Sequence, residues 1–284
     1  MRTDLAKESR SHFPDIGGIE EQQDTKDDVE VTRIRVCTEE ASKKLDKPIG
    51  RYITLTVEAD TFLDRDARAH LSRCIADELA LLIPKDASVL IIGLGNRYIT
   101  ADALGTKTAE YVFVTRHIQM HLADVLPDGT RTTAAFCTGV LGVTGMETAE
   151  VVQGLIERIK PQALLIIDSL AAGDVAHIGT VVQINDSGIA PGAGIGNFRA
   201  VLNQESLHIP VVALGIPLVV SAETIVQACV GRSLPCRLPD PLREMIVTPK
   251  DIDAMVRDAA RVLSDGINLA LHGDNYTELE ELLR

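Results

Sequence analysis

The central part of the sequence alternates short apolar runs with amphipathic segments, and this alternation restricts the fold more than any other feature. Val89–Ile92, Thr133–Cys137 and Ala163–Asp168 are strand-like runs, and segments with helical spacing lie between them. Two further runs, Thr180–Ile184 and Val211–Ile216, follow. This order predicts an α/β fold, with a mostly parallel sheet sandwiched by helices.

The residues before this region predict a small β ribbon near the N-terminus. Asp28–Cys37 and Arg51–Glu58 each alternate apolar and polar residues with a period of two, so we expect a pair of half-buried antiparallel strands. Residues 1–28 are polar and follow neither period, which indicates a mobile or loosely docked N-terminal arm. Residues 29–284 are then expected to form a single α/β domain.

Helical spacing and helix-stop residues predict the helices of this domain. Thr248 is expected to cap the last one, with Pro249 at its first position, and Gly266 is expected to interrupt the chain beyond it. Three prolines indicate a loop between residues 231 and 243. The predicted helices are Asp66–Leu82, Ala101 to about Met120, Glu147–Ile159, Ser221 to about Val230, and Pro249 to about Ser264.

Composition excludes several classes of partner. The net charge of −13 opposes binding to a phosphate backbone, and the 3% aromatic content with no Trp leaves few stacking platforms for nucleic-acid bases. Uncharged apolar stretches stay below the roughly 18 residues that a membrane span needs. With a polar N-terminus and five scattered cysteines, the sequence predicts a cytoplasmic protein without a direct nucleic-acid or membrane partner.

The stretch VLIIGLGN, residues 89–96, resembles the start of a nucleotide-binding unit. The dinucleotide motif needs a third small residue, however, and Tyr98 stands there, while no Gly-Lys-Ser/Thr follows the turn. Nucleotide binding is therefore the weaker interpretation. We assign Gly93, Gly95 and Asn96 to substrate binding instead.

Two carboxylates are expected at the carboxyl ends of neighbouring strands, where ligand sites of α/β sheets form. Asp102 lies just after the glycine turn, and Asp168 ends a buried run. Two acids that share a site lose their protons at different pH values. One can therefore activate water while the other protonates a leaving group. The helix dipole favours Asp102 as the anion, and burial favours Asp168 as the proton holder. Two simpler roles stay open: Asp102 complements the helix dipole after a Thr100 cap, and Asp168 caps the next segment.

A glycine-rich stretch, Ser187–Arg199, is the second candidate region. It is expected to line the substrate cleft, although an ordinary connection between strands also fits. His117 and His121 have metal-ligand spacing without a nearby ligand set, and no GxSxG nucleophile motif occurs, so no metal or cofactor is predicted. The loop residues assigned to substrate binding are Gly192, Gly194, Gly196 and Asn197.

At this point the sequence resembles the germination (spore) endopeptidases, atypical aspartic peptidases of spore-forming bacteria. The similar motifs occur in the same order over almost the whole chain. They are RTDLA at 2–6, GRYITL at 50–55, GLGN…DALG at 93–105, VTRH at 114–117, GVTGMET at 142–148, IDSLAA at 167–172, SGI.PG.G.GN.R at 187–199, and VTPKDID at 247–253 with GINLALH at 266–272.

The resemblance implies an endopeptidase that degrades small acid-soluble spore proteins during germination, in the cytoplasm of the spore core. It implies that Asp102 and Asp168 are the catalytic pair and that the chain assembles as a homotetramer. It also implies a phosphorylase/hydrolase-like fold, similar to that of the hydrogenase-maturation peptidases. A short propeptide, Met1–Asp4, would be removed at the Asp4–Leu5 bond.

Two alternatives remain at this stage. One is a metal-dependent peptidase of the hydrogenase-maturation kind, in which the same two carboxylates bind a metal together with a histidine. The other is a non-catalytic α/β protein whose glycine loops bind a small anionic ligand.

Overall fold

Nine β-strands form one sheet in the computed structural model, which describes residues 3–62, 64–191, 200–230 and 238–283. Their spatial order is β1-β2-β3-β7-β8-β6-β4-β5, and β9 pairs with β8. The strands are β1 Ile19–Lys26, β2 Val29–Val36, β3 Gly50–Thr56, β4 Val89–Gly93, β5 Thr133–Cys137, β6 Ala163–Ala172, β7 Val181–Asn185, β8 Val211–Ser221 and β9 Ile246–Val247.

The sheet is mixed and has two halves. Strands β8, β6, β4 and β5 are parallel neighbours, whereas β7, β3, β2 and β1 pair antiparallel. Six of the nine strands nevertheless run in one direction, namely β1, β3, β4, β5, β6 and β8. The predicted α/β fold with a mostly parallel sheet is confirmed, and so is the antiparallel pairing of the ribbon strands β2 and β3.

The described part of the chain contains twelve helices on and around this sheet. They are α1 Ala6–Ser11, α2 Glu39–Leu45, α3 Arg65–Leu82, α4 Leu104–Ala109, α5 Arg116–His121, α6 Leu141–Thr144, α7 Thr148–Ile159, α8 Gln204–Leu207, α9 Ala222–Val230, α10 Asp240–Arg243, α11 Ile252–His272 and α12 Tyr276–Leu283. In the described part of the chain, no helix is both long and apolar enough to cross a membrane.

Strand side chains alternate between two apolar clusters. Ile91 and Leu165 belong to the cluster under α3 and α11, while Leu90 and Leu164 belong to the cluster that contains Val152 of α7. All five are buried. Burial on both faces explains why β4 and β6 read as continuous apolar runs rather than as alternating ones.

The single helix predicted from Ala101 to Met120 is wrong, because two short helices, α4 and α5, occupy this range. Between them the backbone bonds to other elements. The Phe113 amide donates to Asn268 Oδ1 at 2.8 Å, and the Thr115 amide donates to the Thr133 carbonyl at 3.1 Å. These tertiary bonds replace the helical ones and turn the chain.

The predicted interruption at Gly266 is also wrong, because α11 continues to His272. A Cβ atom at Gly266 would lie 2.7 Å from Cγ2 of Ile75. The glycine therefore lets α11 pack closely against α3. The expected cap is wrong as well: α11 begins at Ile252, and Thr248 Oγ1 donates to the Leu218 carbonyl instead.

The expectation of a loosely docked arm over residues 1–28 is wrong. Leu5 and Ala6 are each 1% exposed, and β1 pairs with β2 along its whole length. Asp27 and Asp28 both have positive φ, 49° and 64°, as a two-residue hairpin turn requires. The side chains of β1 are exposed at the sheet edge, so no period appears in its sequence. A division of the chain at residue 28 stays a prediction.

Candidate active site

The glycine turn after β4 folds back onto the segment that carries Asp102. A Cβ atom at Gly95 would lie 1.9 Å from the Asp102 carbonyl oxygen, and Gly95 has a φ of +99°. A Cβ atom at Gly93 would lie 2.3 Å from the Gly105 carbonyl oxygen. Close backbone packing therefore accounts for both turn glycines, and the turn serves to position Asp102.

Asp102 lies in a short 3₁₀ turn, Thr100–Asp102, that precedes α4. The Asn96 amide donates to Asp102 Oδ2 at 2.8 Å, and the Asp102 amide donates to the Ile99 carbonyl, also at 2.8 Å. The turn lacks a side-chain cap, so the Thr100 cap considered from the sequence is wrong. Asp102 is instead held by the backbone of the glycine turn.

Asp168 lies inside β6 rather than at its end, because β6 continues to Ala172. Strand β4 pairs with β6 only as far as Gly93, which lies opposite Ile167. Asp168 is therefore the first β6 residue beyond the end of β4. Its Oδ1 accepts from the Ser169 amide of the same strand at 2.9 Å, so it does not cap a following segment.

The two carboxylates are electrostatically coupled. Asp168 is 7% exposed. Burial raises the pKa of Asp168 well above its usual range, the negative charge of Asp102 raises it further, and the Ser169 amide partly opposes both effects. Burial and the Asp102 charge both favour the protonated form of Asp168. The expectation that the strands before and around these two acids are neighbours is confirmed, since β4 pairs with β6.

A third acid, Asp4, lies against the same strand and was not foreseen as part of the site. The Asp4 amide donates to the Ala171 carbonyl at 3.0 Å, and the Ala171 amide donates to Asp4 Oδ2 at 2.8 Å. Burial raises the pKa of Asp4, whose charge in turn contributes to the raised pKa of Asp168. The predicted cleavage residues Asp4 and Leu5 therefore lie beside the acid pair.

Glu8, four residues after Asp4, binds the N-terminal segment to the loop after β6. Its carboxylate accepts from the Gly173 amide at 2.7 Å, the Asp174 amide at 3.0 Å and His177 Nδ1 at 2.5 Å. Glu8 is 5% exposed. The N-terminal segment is consequently an integral part of this region.

A cavity of about 680 Å³ adjoins Asp4, and it is lined by Lys47, Tyr52, Leu170 and Ser187 among others. Lys47 Nζ donates to the Thr3 carbonyl at 2.8 Å. Burial lowers the pKa of Lys47, while the charges of Asp4, Asp46 and Glu8 oppose that effect. Sequence reasoning missed Lys47, because no local pattern distinguishes it from Lys43 and Lys44.

Only the first five residues of the glycine-rich stretch, 187–191, are described. Gly192, Gly194, Gly196 and Asn197 lie outside the described residues. Gly188 has a φ of +87°, and a Cβ atom there would lie 2.2 Å from the Leu202 carbonyl oxygen. Among the residues that the structure describes, no group of three or more His, Cys, Asp or Glu residues is arranged to hold a metal ion.

Comparison with known proteins identifies the family. The family model described as germination protease matches residues 1–234. The chain belongs to the germination protease family. Germination proteases of Clostridium perfringens (strain 13) and Caldanaerobacter subterraneus are each 36% identical to it, over 98% and 100% of this chain and 97% and 98% of theirs. The germination protease of Bacillus velezensis is 34% identical, over 96% of this chain and 93% of its own length.

A solved structure is also similar, the [NiFe] hydrogenase maturation protease HycI from Thermococcus kodakarensis. The TM-score is 0.35 with 18% sequence identity, over 66% of this chain and 98% of that one. As a member of the germination protease family, the protein is a peptidase.

Proposed function

We propose that the protein is an endopeptidase that degrades small acid-soluble spore proteins during spore germination, with Asp102 and Asp168 as its acid–base pair. One observation supports the mechanism: Asp102 follows β4, Asp168 lies in the neighbouring strand β6, and burial together with the Asp102 charge raises the pKa of Asp168. Family membership supports the reaction class and the setting in germination.

The proposed reaction divides the proton work between the two acids. Asp102, as the anion, takes a proton from a water molecule whose oxygen forms a bond to the scissile carbonyl carbon. Asp168 gives its proton to the amide nitrogen as the carbon–nitrogen bond breaks. The products are a carboxylic acid and an amine, and a later proton exchange returns the pair to its starting state.

The remaining assignments belong to the same proposal. Gly93, Gly95 and Asn96 are proposed to lie along the substrate, together with the loop residues Gly192, Gly194, Gly196 and Asn197. The propeptide bond is proposed to be Asp4–Leu5, which is supported by the contact of Asp4 with β6 beside Asp168. A homotetramer in the spore-core cytoplasm completes the proposal, with no cofactor.

The test is incubation of the purified chain with a small acid-soluble spore protein, followed by mass spectrometry of the products. We expect Asp102→Asn and Asp168→Asn each to lower the cleavage rate at least about 100-fold, a typical share for acid–base catalysis. Asp124→Asn is the matched control, because Asp124 is exposed in a distant 3₁₀ turn.

Each alternative has its own outcome in this experiment. Full activity in either active-site variant contradicts the acid pair. Loss of cleavage in EDTA, restored by a divalent metal, favours the metal-dependent alternative. A folded chain that cuts neither the spore protein nor its own N-terminus favours the non-catalytic alternative.

A further inference from the structure

One edge of β6 has no strand partner beyond Asp168 within the described ranges. Strand β8 pairs with β6 as far as Ala172, but β4 stops opposite Ile167. Residues 169–172 therefore present main-chain groups at the edge that β4 leaves open. An open edge of this kind is where an extended peptide can add to a sheet.

The N-terminal segment of the chain occupies this edge. Asp4 bonds to Ala171 twice, through its own amide nitrogen and through its side chain, at 3.0 and 2.8 Å. The side chain of Leu5 is buried in a cluster with Leu170, Ala172, Val181 and Val220. Main-chain bonds with an apolar anchor are the usual features of strand addition.

Lys47 also binds this N-terminal segment. Its Nζ donates to the Thr3 carbonyl at 2.8 Å, one residue before Asp4. The cavity that contains Lys47 continues past Tyr52 to Ser187 and Gly188, and its volume of about 680 Å³ leaves room for more of an extended chain. A charged donor to a main-chain carbonyl contributes more than a neutral one.

We propose that the open edge of β6, Ser169–Ala172, together with Lys47, binds the main chain of an extended peptide substrate, and that residues 3–5 occupy this site here. The inference rests on the proposed function, because it names the surface that presents a peptide to Asp102 and Asp168. Lys47 is a positioning residue in this scheme and takes no part in proton transfer.

The site can be tested by peptide binding with no cleavage required. All proteins are the full chain with Asp102→Asn, and Leu5→Asp is added to expel the segment by placing a charge in its apolar cluster. The probe is a fluorescein-labelled peptide with the sequence of residues 2–9, RTDLAKES, followed by fluorescence anisotropy. We expect it to bind the Leu5→Asp chain at least about tenfold more tightly than the chain with Leu5, where the tethered segment competes.

Variants of Lys47 then test the named contact in the Leu5→Asp chain. Lys47→Met should weaken peptide binding at least about tenfold, the scale of a lost charged hydrogen bond, and Lys47→Arg should retain most of it. Lys43→Met is the control, because Lys43 is exposed on α2 and Thr3 is not its partner. Equal binding with Lys47 and with Met at this position overturns the inference, as does failure of a folded Leu5→Asp chain to bind the peptide.

A second measurement does not depend on the Leu5→Asp variant. In the chain with Leu5 intact, hydrogen exchange of the Asp4 amide should quicken at least about tenfold in Lys47→Met and stay slow in Lys47→Arg. An unchanged rate in Lys47→Met overturns the inference. If peptide binding depends on Lys47 but the chain with Asp102 intact cleaves nothing, the proposed function alone is contradicted. If that chain cleaves its substrate but peptide binding does not depend on Lys47, this inference alone is contradicted.

Discussion

The central strand β4 and the edge strand β1 differ in burial, and the halves of the sheet to which they belong differ in what they contribute to the site. In the parallel half, all five residues of β4 are buried, and both acids lie where β4 ends. Asp102 follows β4 in the chain, and Asp168 is the first residue of β6 beyond the end of β4. In the antiparallel half, β1 is exposed for seven of its eight residues. The parallel half thus provides a rigid frame for the carboxylates, and the antiparallel half provides an outer ribbon against which the N-terminal segment packs.

The largest expected effect concerns the turn that joins this frame to Asp102. Gly95→Ala should lower activity at least about 100-fold and destabilise the fold, because its φ is +99° and the new Cβ would meet the Asp102 carbonyl oxygen. Gly154→Ala in α7 is the control. Its Cβ would meet no heavy atom within 4 Å, so a gain in stability of about 0.5–1 kcal/mol is expected.

Cleavage kinetics and urea unfolding of both variants decide this prediction. Wild-type kinetics in Gly95→Ala would show that the turn does not position Asp102. A matching loss in Gly154→Ala would show that the effect is not specific to the turn.

The second prediction compares the packing of the central strand β6 with that of the edge strand β1. Leu165→Ala in β6 should cost about 2–5 kcal/mol, because Leu165 is fully buried and its loss leaves a cavity. Thr25→Ala in β1 should change stability by less than about 0.5 kcal/mol, because Thr25 is exposed. Similar urea midpoints for the two variants would show that β6 and β1 contribute equally to packing.

The third prediction concerns the helix layer above the frame. His272 is 6% exposed, and its ring lies beside that of Phe113, with the ring centroids 6.0 Å apart. Burial lowers its pKa to about 4, so the folded protein favours the neutral ring. Stability is present above pH 6.5 and is lost as the pH falls towards 4, by up to about 3 kcal/mol.

Urea unfolding from pH 8 to pH 4 measures this loss. His272→Phe keeps an aromatic ring of similar size and should flatten the part of the pH dependence that His272 causes. An identical profile in the variant would assign the acid sensitivity to other groups.

The smallest expected effect concerns His177, which lies where the N-terminal segment meets the parallel half of the sheet. Its pKa is shifted in the opposite direction to that of His272. The hydrogen bond to Glu8 raises the pKa of His177 above its ordinary value. Its stabilisation is therefore present below the unfolded pKa and lost as pH rises through the folded one. His177→Gln should cost more stability at pH 6 than at pH 8. Equal cost at both pH values would mean that the ring does not bind Glu8 as a cation.

The sequence predicted the parallel half well because its signals are local. The apolar runs of β4 and β6 and the helix α7 were all placed, and the strands beside Asp102 and Asp168 are neighbours as expected, while the catalytic pairing of the two acids stays a prediction. The exposed strand β1 has no such signal, since water on both faces imposes no period. The position of Asp4 beside Asp168 and the role of Lys47 were missed for a different reason: each depends on contacts with distant residues.

The same distinction explains the errors in the helices. Gly266 signals a break when read alone, but its environment is Ile75 on another helix. The chain between α4 and α5 looks helical by spacing, but Asn268 takes the Phe113 amide. Propensity is a weak prior wherever a distant partner competes for the same backbone group.

The early end of β4 makes this region sensitive to strand length more than to the identity of any one side chain. Strand β6 continues through Ser169–Ala172, so an insertion of four residues that prolonged β4 would cover the open edge of β6 completely. Insertions and deletions near Gly93 are therefore the changes most able to open or close this part of the molecule.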